Sequence, residues 1–148
     1  MTPSTESQSD FIAQAGAIPV MDGRVCLVTS SNGKRWVIPK GVIDPGHTAR
    51  EAALQEAWEE AGLTGALRAD PVGSYRYDKW GGTCHVTVFV MDVNDAAADW
   101  PEGQVRQRRW VVPAEAVALI EDPGLRAILK GVWPNASPAG NTTPETPD

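Results

Sequence analysis

Three glutamates, Glu56, Glu59 and Glu60, stand at i, i+3 and i+4 in the stretch "GVIDPGHTAREAALQEAWEEAGL", residues 41–63. On a helix that spacing puts three carboxylates in a sector of roughly 100°. The helix dipole disfavours negative charge toward the C-terminal end, where these acids lie. No Lys or Arg follows any of them at i+4 to form a helical ion pair. Such a face is either solvated or stabilised by a divalent cation, and carboxylate oxygens are the donors that Mg²⁺ or Mn²⁺ prefer. On the second reading the chemistry in view is divalent-cation binding.

The helix that must carry these acids has clear ends. Thr48 and Glu51 have the spacing of a capping box, with each side chain reaching the other's backbone amide. Gly62 supplies the stop. On a helical wheel, Ala49, Ala52 and Ala53 share the acids' sector. Leu54, Ala57, Trp58 and Ala61 lie opposite and are expected to form the core face. Asp44, with Pro45-Gly46, is expected to make a turn just before the helix.

Around that helix the chain reads as strands. "FIAQAGAIPVM" is a first strand. "RVCLVTS" and "RWVIPKG" read as a hairpin, with Asn32-Gly33 as a two-residue turn. "GALRADPVGSYRYDKW" and "TCHVTVFVMDV" read as two strands around a Gly81-Gly82 turn. The second is apolar on both faces, which suits a central strand. "QRRWVV" is a last strand, and "PAEAVALIED" and "PGLRAILKGVW" read as closing helices with Pro near each start. The fold class is α/β, a mixed β-sheet sandwiched between α-helices. Residues 10–133 are expected to form the domain. Polar tails at 1–9 and 134–148 have too little apolar surface to repay ordering.

Bulk properties narrow the function. The chain has 148 residues, 42% of them apolar, and a net charge of −6. That balance argues against general nucleic-acid binding through phosphate neutralisation. It permits one phosphorylated small molecule held by local cations. Cys26 and Cys84 fall in strand-like runs and read as reduced core thiols. No apolar run approaches the ~18 residues of a membrane helix. The polar start lacks the features of a signal peptide. A cytoplasmic monomer or homodimer with no membrane partner is expected.

The stretch that carries the glutamates resembles the signature of the Nudix hydrolases, G-x5-E-x7-R-E-U-x-E-E-x-G-U, where U is a bulky aliphatic residue. With Gly41 first, Glu56, Glu59, Glu60, Gly62 and Leu63 fall into register, and the small Ala57 takes a U position. Two positions depart: His47 replaces the first Glu and Gln55 replaces the Arg. "WVIPKG", "YRYDK", "WPEG" and "RRWVVPAEAVALI" are similar to the bacterial branch near the diphosphoinositol polyphosphate phosphohydrolases.

The resemblance implies a Mg²⁺- or Mn²⁺-dependent pyrophosphohydrolase. Its substrate would be a nucleoside polyphosphate, a nucleoside diphosphate derivative or a diphosphoinositol polyphosphate. It implies metal ligation by Glu56, Glu59, Glu60 and the Gly41 carbonyl. Glu56, followed by Glu60, is the expected general base. Lys40 is a candidate phosphate contact at the site's mouth. Arg35, Lys79 and Tyr77 are further substrate candidates, and Arg76, Arg108, Trp80, Tyr75 and Glu102 stand beside them. The ordinary reading of each is a surface charge, a strand aromatic or a turn residue. Gln55 can hydrogen-bond a carboxylate but cannot offset its charge, and a charge-assisted bond is roughly twice as strong. His47 reads as an exposed loop residue. The two departures motivate the alternative, a Nudix-fold binding or sensor protein with little catalysis.

Overall fold

A computed structural model describes residues 11–136. The expected tail at 1–9 and the stretch 137–148 of the expected C-terminal tail lie outside the described residues. The elements follow the order β1 (Phe11–Met21), β2 (Arg24–Thr29), β3 (Trp36–Val37), β4 (Lys40–Val42), α1 (Ala49–Ala61), β5 (Leu63–Leu67), β6 (Gly73–Lys79), β7 (Gly82–Ala96), β8 (Arg108–Val111), α2 (Pro113–Leu119) and α3 (Pro123–Val132).

One eight-stranded mixed sheet results, with the central path β3-β2-β1-β7-β5. β1 runs parallel to β7 from Phe11↔Thr83 to Val20↔Asp92, and all the other pairings are antiparallel. β7 is central, as its two apolar faces require: Cys84, Val86, Val88 and Val90 are buried on one side and Phe89 and Met91 on the other. Helices cover both sheet faces. Ala15, Ala17, Phe89 and Met91 pack with the alanines of α1. Ile18, Val86 and Val88 pack with Val117, Leu125 and Leu129 of α2 and α3. Among the described residues no helix is long and apolar enough to cross a membrane.

Several local expectations are corrected. The region 65–80 is two strands, broken at 68–72, and each pairs separately with β7. Lys40–Val42 is a strand of its own, pairing Gly41 with Ala15 of β1. Asn32-Gly33 is not a tight two-residue turn. The loop closes wider, with the Ser30 amide donating to the Arg35 carbonyl at 2.8 Å. Two-residue turns with positive φ at both positions occur instead at Asp22-Gly23 and Trp80-Gly81. They suit the right-handed twist of the strands they join.

The wheel for α1 also needs correction. Ala52, Ala53, Ala57, Glu60 and Ala61 are buried, while Leu54 and Trp58 remain more than a third exposed. Small residues win the inner face because α1 lies close over Ala15 and Ala17 of β1. There is no room there for Leu or Trp. Close approach also carries Glu60, on the same face, into the protein.

Candidate active site

The helix ends place the acids. The Thr48 hydroxyl accepts from the Glu51 amide at 3.1 Å, and the Glu51 carboxylate accepts from the Thr48 amide at 2.9 Å. At the other end Gly62 has φ +70° and its N–H donates to the Trp58 carbonyl. The guanidinium of Arg108 donates to the Ala61 and Ala97 carbonyls at 2.7 and 2.6 Å. It also lies over the Trp100 ring. Arg108 thus caps the helix and takes no part in the cleft. The Trp100 indole N–H donates to the Glu60 carbonyl, so the last turn of α1 is tied down from several sides.

The Glu56 and Glu60 carboxylates face a cleft of about 430 Å³ between α1, β4 and the β6–β7 turn. Glu56, Glu60, Gly41, Lys40, Arg35, Tyr77 and Lys79 all line it. Seven of the eight site candidates are therefore brought together. Glu59 does not line the cleft; its Oε2 accepts from the Gln55 amide at 2.9 Å. Gly41 is a glycine for a steric reason. A Cβ there would overlap the Glu56 carboxyl group.

Glu60 is 6% exposed. Its Oε1 accepts from the Lys40 backbone amide at 3.2 Å and its Oε2 from Arg106 at 3.2 Å. Burial raises its pKa, while Arg106 and Lys40 pull it back. Glu56 has no such partner. Burial, followed by the charges of Glu60, Glu59 and Glu102, pushes its carboxyl up to about 8. Burial also holds the Lys40 ammonium below the usual Lys range. Glu60 opposes that shift, and Lys79, Arg106 and Arg35 add to it. The cleft therefore has an acidic lining, Glu56 and Glu60 (its acidic wall), and a cationic lining, Lys40, Arg35 and Lys79 (its cationic wall).

A divalent cation fits the acidic wall by the chemistry of its donors. Glu56 and Glu60 are neighbouring carboxylates whose burial and mutual repulsion disfavour charge. They present the oxygens that hard cations take, and a cation would offset that repulsion. Among the described residues no three carboxylate, imidazole or thiolate groups already stand as a ready ligand set.

The departures from the expected signature are also placed. His47 is exposed and belongs to the turn, its amide donating to the Asp44 carbonyl at 3.0 Å. Gln55 bonds Glu59 as a neutral amide. Tyr75 is core and Arg76 is an exposed strand residue. Glu102 lies beside the acids, as its effect on Glu56 and Glu60 requires.

Sequence reasoning missed two residues that build the site. Arg106 donates to Glu60, to Glu102 at 2.6 Å and to the Thr29 carbonyl at 2.8 Å. Its signal was the Glu102–Arg106 spacing of four. Gln14 is buried and accepts from the Tyr77 hydroxyl at 2.8 Å, holding that ring at the cleft. Its signal was a lone polar residue in an otherwise apolar strand.

Comparison with known proteins agrees with the fold. Residues 11–132 match the NUDIX domain family model. The chain is 34% identical over 117 residues to Nudix hydrolase 13, mitochondrial, of Arabidopsis thaliana, a match covering 72% of this chain and 58% of that protein. It is 32% identical over 104 residues to mouse (Mus musculus) diphosphoinositol polyphosphate phosphohydrolase 3-alpha, covering 68% and 62%. The match thus spans about three-fifths of the length of these relatives. A crystal structure of a C. elegans Ap4A hydrolase superposes with a TM-score of 0.67, covering 82% of this chain and 96% of that one. At 21% identity that likeness shows the fold alone.

Proposed function

The chain belongs to the Nudix family, and from that membership we propose that it is a metal-dependent pyrophosphohydrolase that cleaves a phosphoanhydride bond. The substrate is a nucleoside polyphosphate, such as a dinucleoside polyphosphate, or a diphosphoinositol polyphosphate. One observation carries the reading: the Glu56–Glu60 carboxylate pair and the cations Lys40, Arg35 and Lys79 line a single cleft. A pyrophosphate needs both walls. Its negative oxygens repel an attacking water unless cations offset them.

Glu56 and Glu60, with the Gly41 carbonyl, would hold Mg²⁺ or Mn²⁺, which would supply charge neutralisation of the phosphates and of the leaving group. Glu59 would join them only by turning from Gln55 toward the cleft. Lys40 sits next to Gly41 and binds phosphate from the opposite side. Arg35 and Lys79 extend the cationic wall toward the rest of the polyphosphate. Tyr77 packs under Lys40, whose Nζ lies 5.3 Å from its ring centroid, and so orients the ammonium. Glu56 accepts the proton of the attacking water, with Glu60 as the nearest second acceptor. Water oxygen then bonds to phosphorus, the bridging P–O bond breaks, and the phosphate leaves with its electron pair. Arg106 and Lys40 partly offset the burial that disfavours charge on Glu60, whereas Glu56 has no cation bonded to it.

A Mg²⁺ titration against a panel of polyphosphates tests the reading. Turnover that needs the cation, on at least one of them, is the expected result. Tight binding of one without turnover of any would replace it with the sensor reading that His47 and Gln55 motivate.

A further inference from the structure

The tip of the β6–β7 hairpin holds a residue that its backbone does not favour. Trp80 has φ +56° and Gly81 φ +74°. Asn, Asp or Gly normally takes the first of these positions, because a bulky side chain there meets its own backbone. The indole gains nothing from burial to offset this. Trp80 is 64% exposed, the most open aromatic residue among the described residues. Strained residues with no packing role point to a ligand when they face one. Trp80 does so: it lines the rim of the catalytic cleft beside Asp78 and Lys79. The Lys79 ammonium lies 4.5 Å from its ring centroid. That contact fixes the ring's orientation and sets a phosphate-binding charge directly beside a flat π surface. Adjacent residues thus offer a cation for a phosphate chain and a platform for a planar ring.

We propose that Trp80 is a stacking platform for the base of a nucleoside polyphosphate, and that it selects nucleotides over polyphosphates that carry no aromatic ring. The assignment rests on the pyrophosphohydrolase reading for the placement of the phosphates, and it chooses among that reading's substrates. An inositol ring is saturated and carries charge on nearly every carbon. It has no π face for an indole. A nucleobase does, and aromatic side chains bind bases by stacking with little regard to which base is present. The Lys79 contact leaves the opposite face of the indole for the base.

Binding without turnover separates this assignment from the catalytic one. The affinity of a methylene-bridged nucleoside triphosphate and of inorganic tripolyphosphate, each with Mg²⁺, is measured by calorimetry for the wild type, Trp80→Phe and Trp80→Asn. The wild type is expected to bind the nucleotide at least about tenfold more tightly than tripolyphosphate. Trp80→Phe keeps most of that preference. Trp80→Asn loses it, with the nucleotide weakened about tenfold and tripolyphosphate by less than about twofold. The Trp80→Asn protein should also melt at a higher temperature, because Asn tolerates positive φ. A purely structural Trp80 would give the opposite thermal shift. Equal weakening of both ligands, an unchanged nucleotide affinity in Trp80→Asn, or no nucleotide preference in the wild type overturns the assignment. A preference that depends on Trp80 in a protein that hydrolyses no polyphosphate would uphold the platform and sink the catalytic reading.

Discussion

Arg106 donates from Nη2 to the buried Oε2 of Glu60 at 3.2 Å, across 46 residues of chain. Both side chains are close to fully buried, at 12% and 8% exposure. The same guanidinium holds Glu102 and the Thr29 carbonyl. Gln55 bonds only the exposed Glu59 among the acids, so the guanidinium at the buried carboxylate comes from outside the α1 segment. Arg106→Gln should leave a buried carboxylate without its charge partner. Removing one member of a buried pair costs about 3 kcal/mol or more. Urea unfolding should show that loss, and kcat should fall with it. Stability within ~0.5 kcal/mol of the wild type would show that the pair is not coupled.

Gly41→Ala tests how closely Glu56 is held. The added Cβ would overlap the Glu56 carboxyl group, while the β1–β4 pairing asks nothing of a glycine at this point. A displacement of about 1 Å at a reacting group can cost ~10²-fold in rate. The expected outcome is a kcat loss of at least about tenfold with circular dichroism unchanged. Full activity in Gly41→Ala would show that Glu56 works from another position.

Glu56 makes the metal-free protein pH-sensitive. A free Glu titrates near 4.5, whereas burial and three neighbouring acids push Glu56 up to about 8 in the fold. The folded chain therefore binds a proton more tightly than the unfolded one. The stability this contributes is fully present below about pH 4.5 and is lost as pH rises through about 8. Thermal unfolding in EDTA should show Tm falling across that window. Mg²⁺ added at the alkaline end should restore it, since the cation takes the proton's place and binds only the folded state. A Tm that Mg²⁺ leaves unmoved at alkaline pH would contradict the site.

Gln55→Arg should give equal or higher activity. The Gln55 amide already reaches Glu59 at 2.9 Å, so a guanidinium at this point adds charge to an acid-rich surface without displacing a core group. Steady-state kinetics of the single variant decide it. A large loss of kcat would mean that the neutral amide has a role of its own.

The sequence made α1 and its caps legible because both depend on local spacing. Thr48, Glu51 and Gly62 act on neighbours within a turn, and the structure has each bond. The central place of β7 was legible for a similar reason, since apolar residues on both faces need cover on both. The wheel for α1 failed where a tertiary fact decided. Ala15 and Ala17 on β1 demand small residues opposite, so Leu54 and Trp58 were excluded from the face that hydrophobicity alone would assign them. The cationic wall was half legible. Lys40 lies beside Gly41 in sequence, but Arg106 reaches Glu60 only through the loop before β8, and no local pattern announces a contact across 46 residues. Turn chemistry misled at Asn32-Gly33 and hid Trp80-Gly81, because a Trp at positive φ is the choice a propensity rule rejects.

Under the proposed function the Glu56–Glu60 pair drives metal-dependent cleavage of a phosphoanhydride. The most direct measurement is kcat for a dinucleoside polyphosphate, followed by ³¹P NMR with and without Mg²⁺, in the wild type, Glu56→Gln and Glu60→Gln. Turnover by the wild type is expected only with the cation, with a loss of ~10²-fold or more in each variant, the scale seen when a group that stabilises a transition state is removed. Turnover that proceeds without a divalent cation, or at the same rate in both variants, would contradict it.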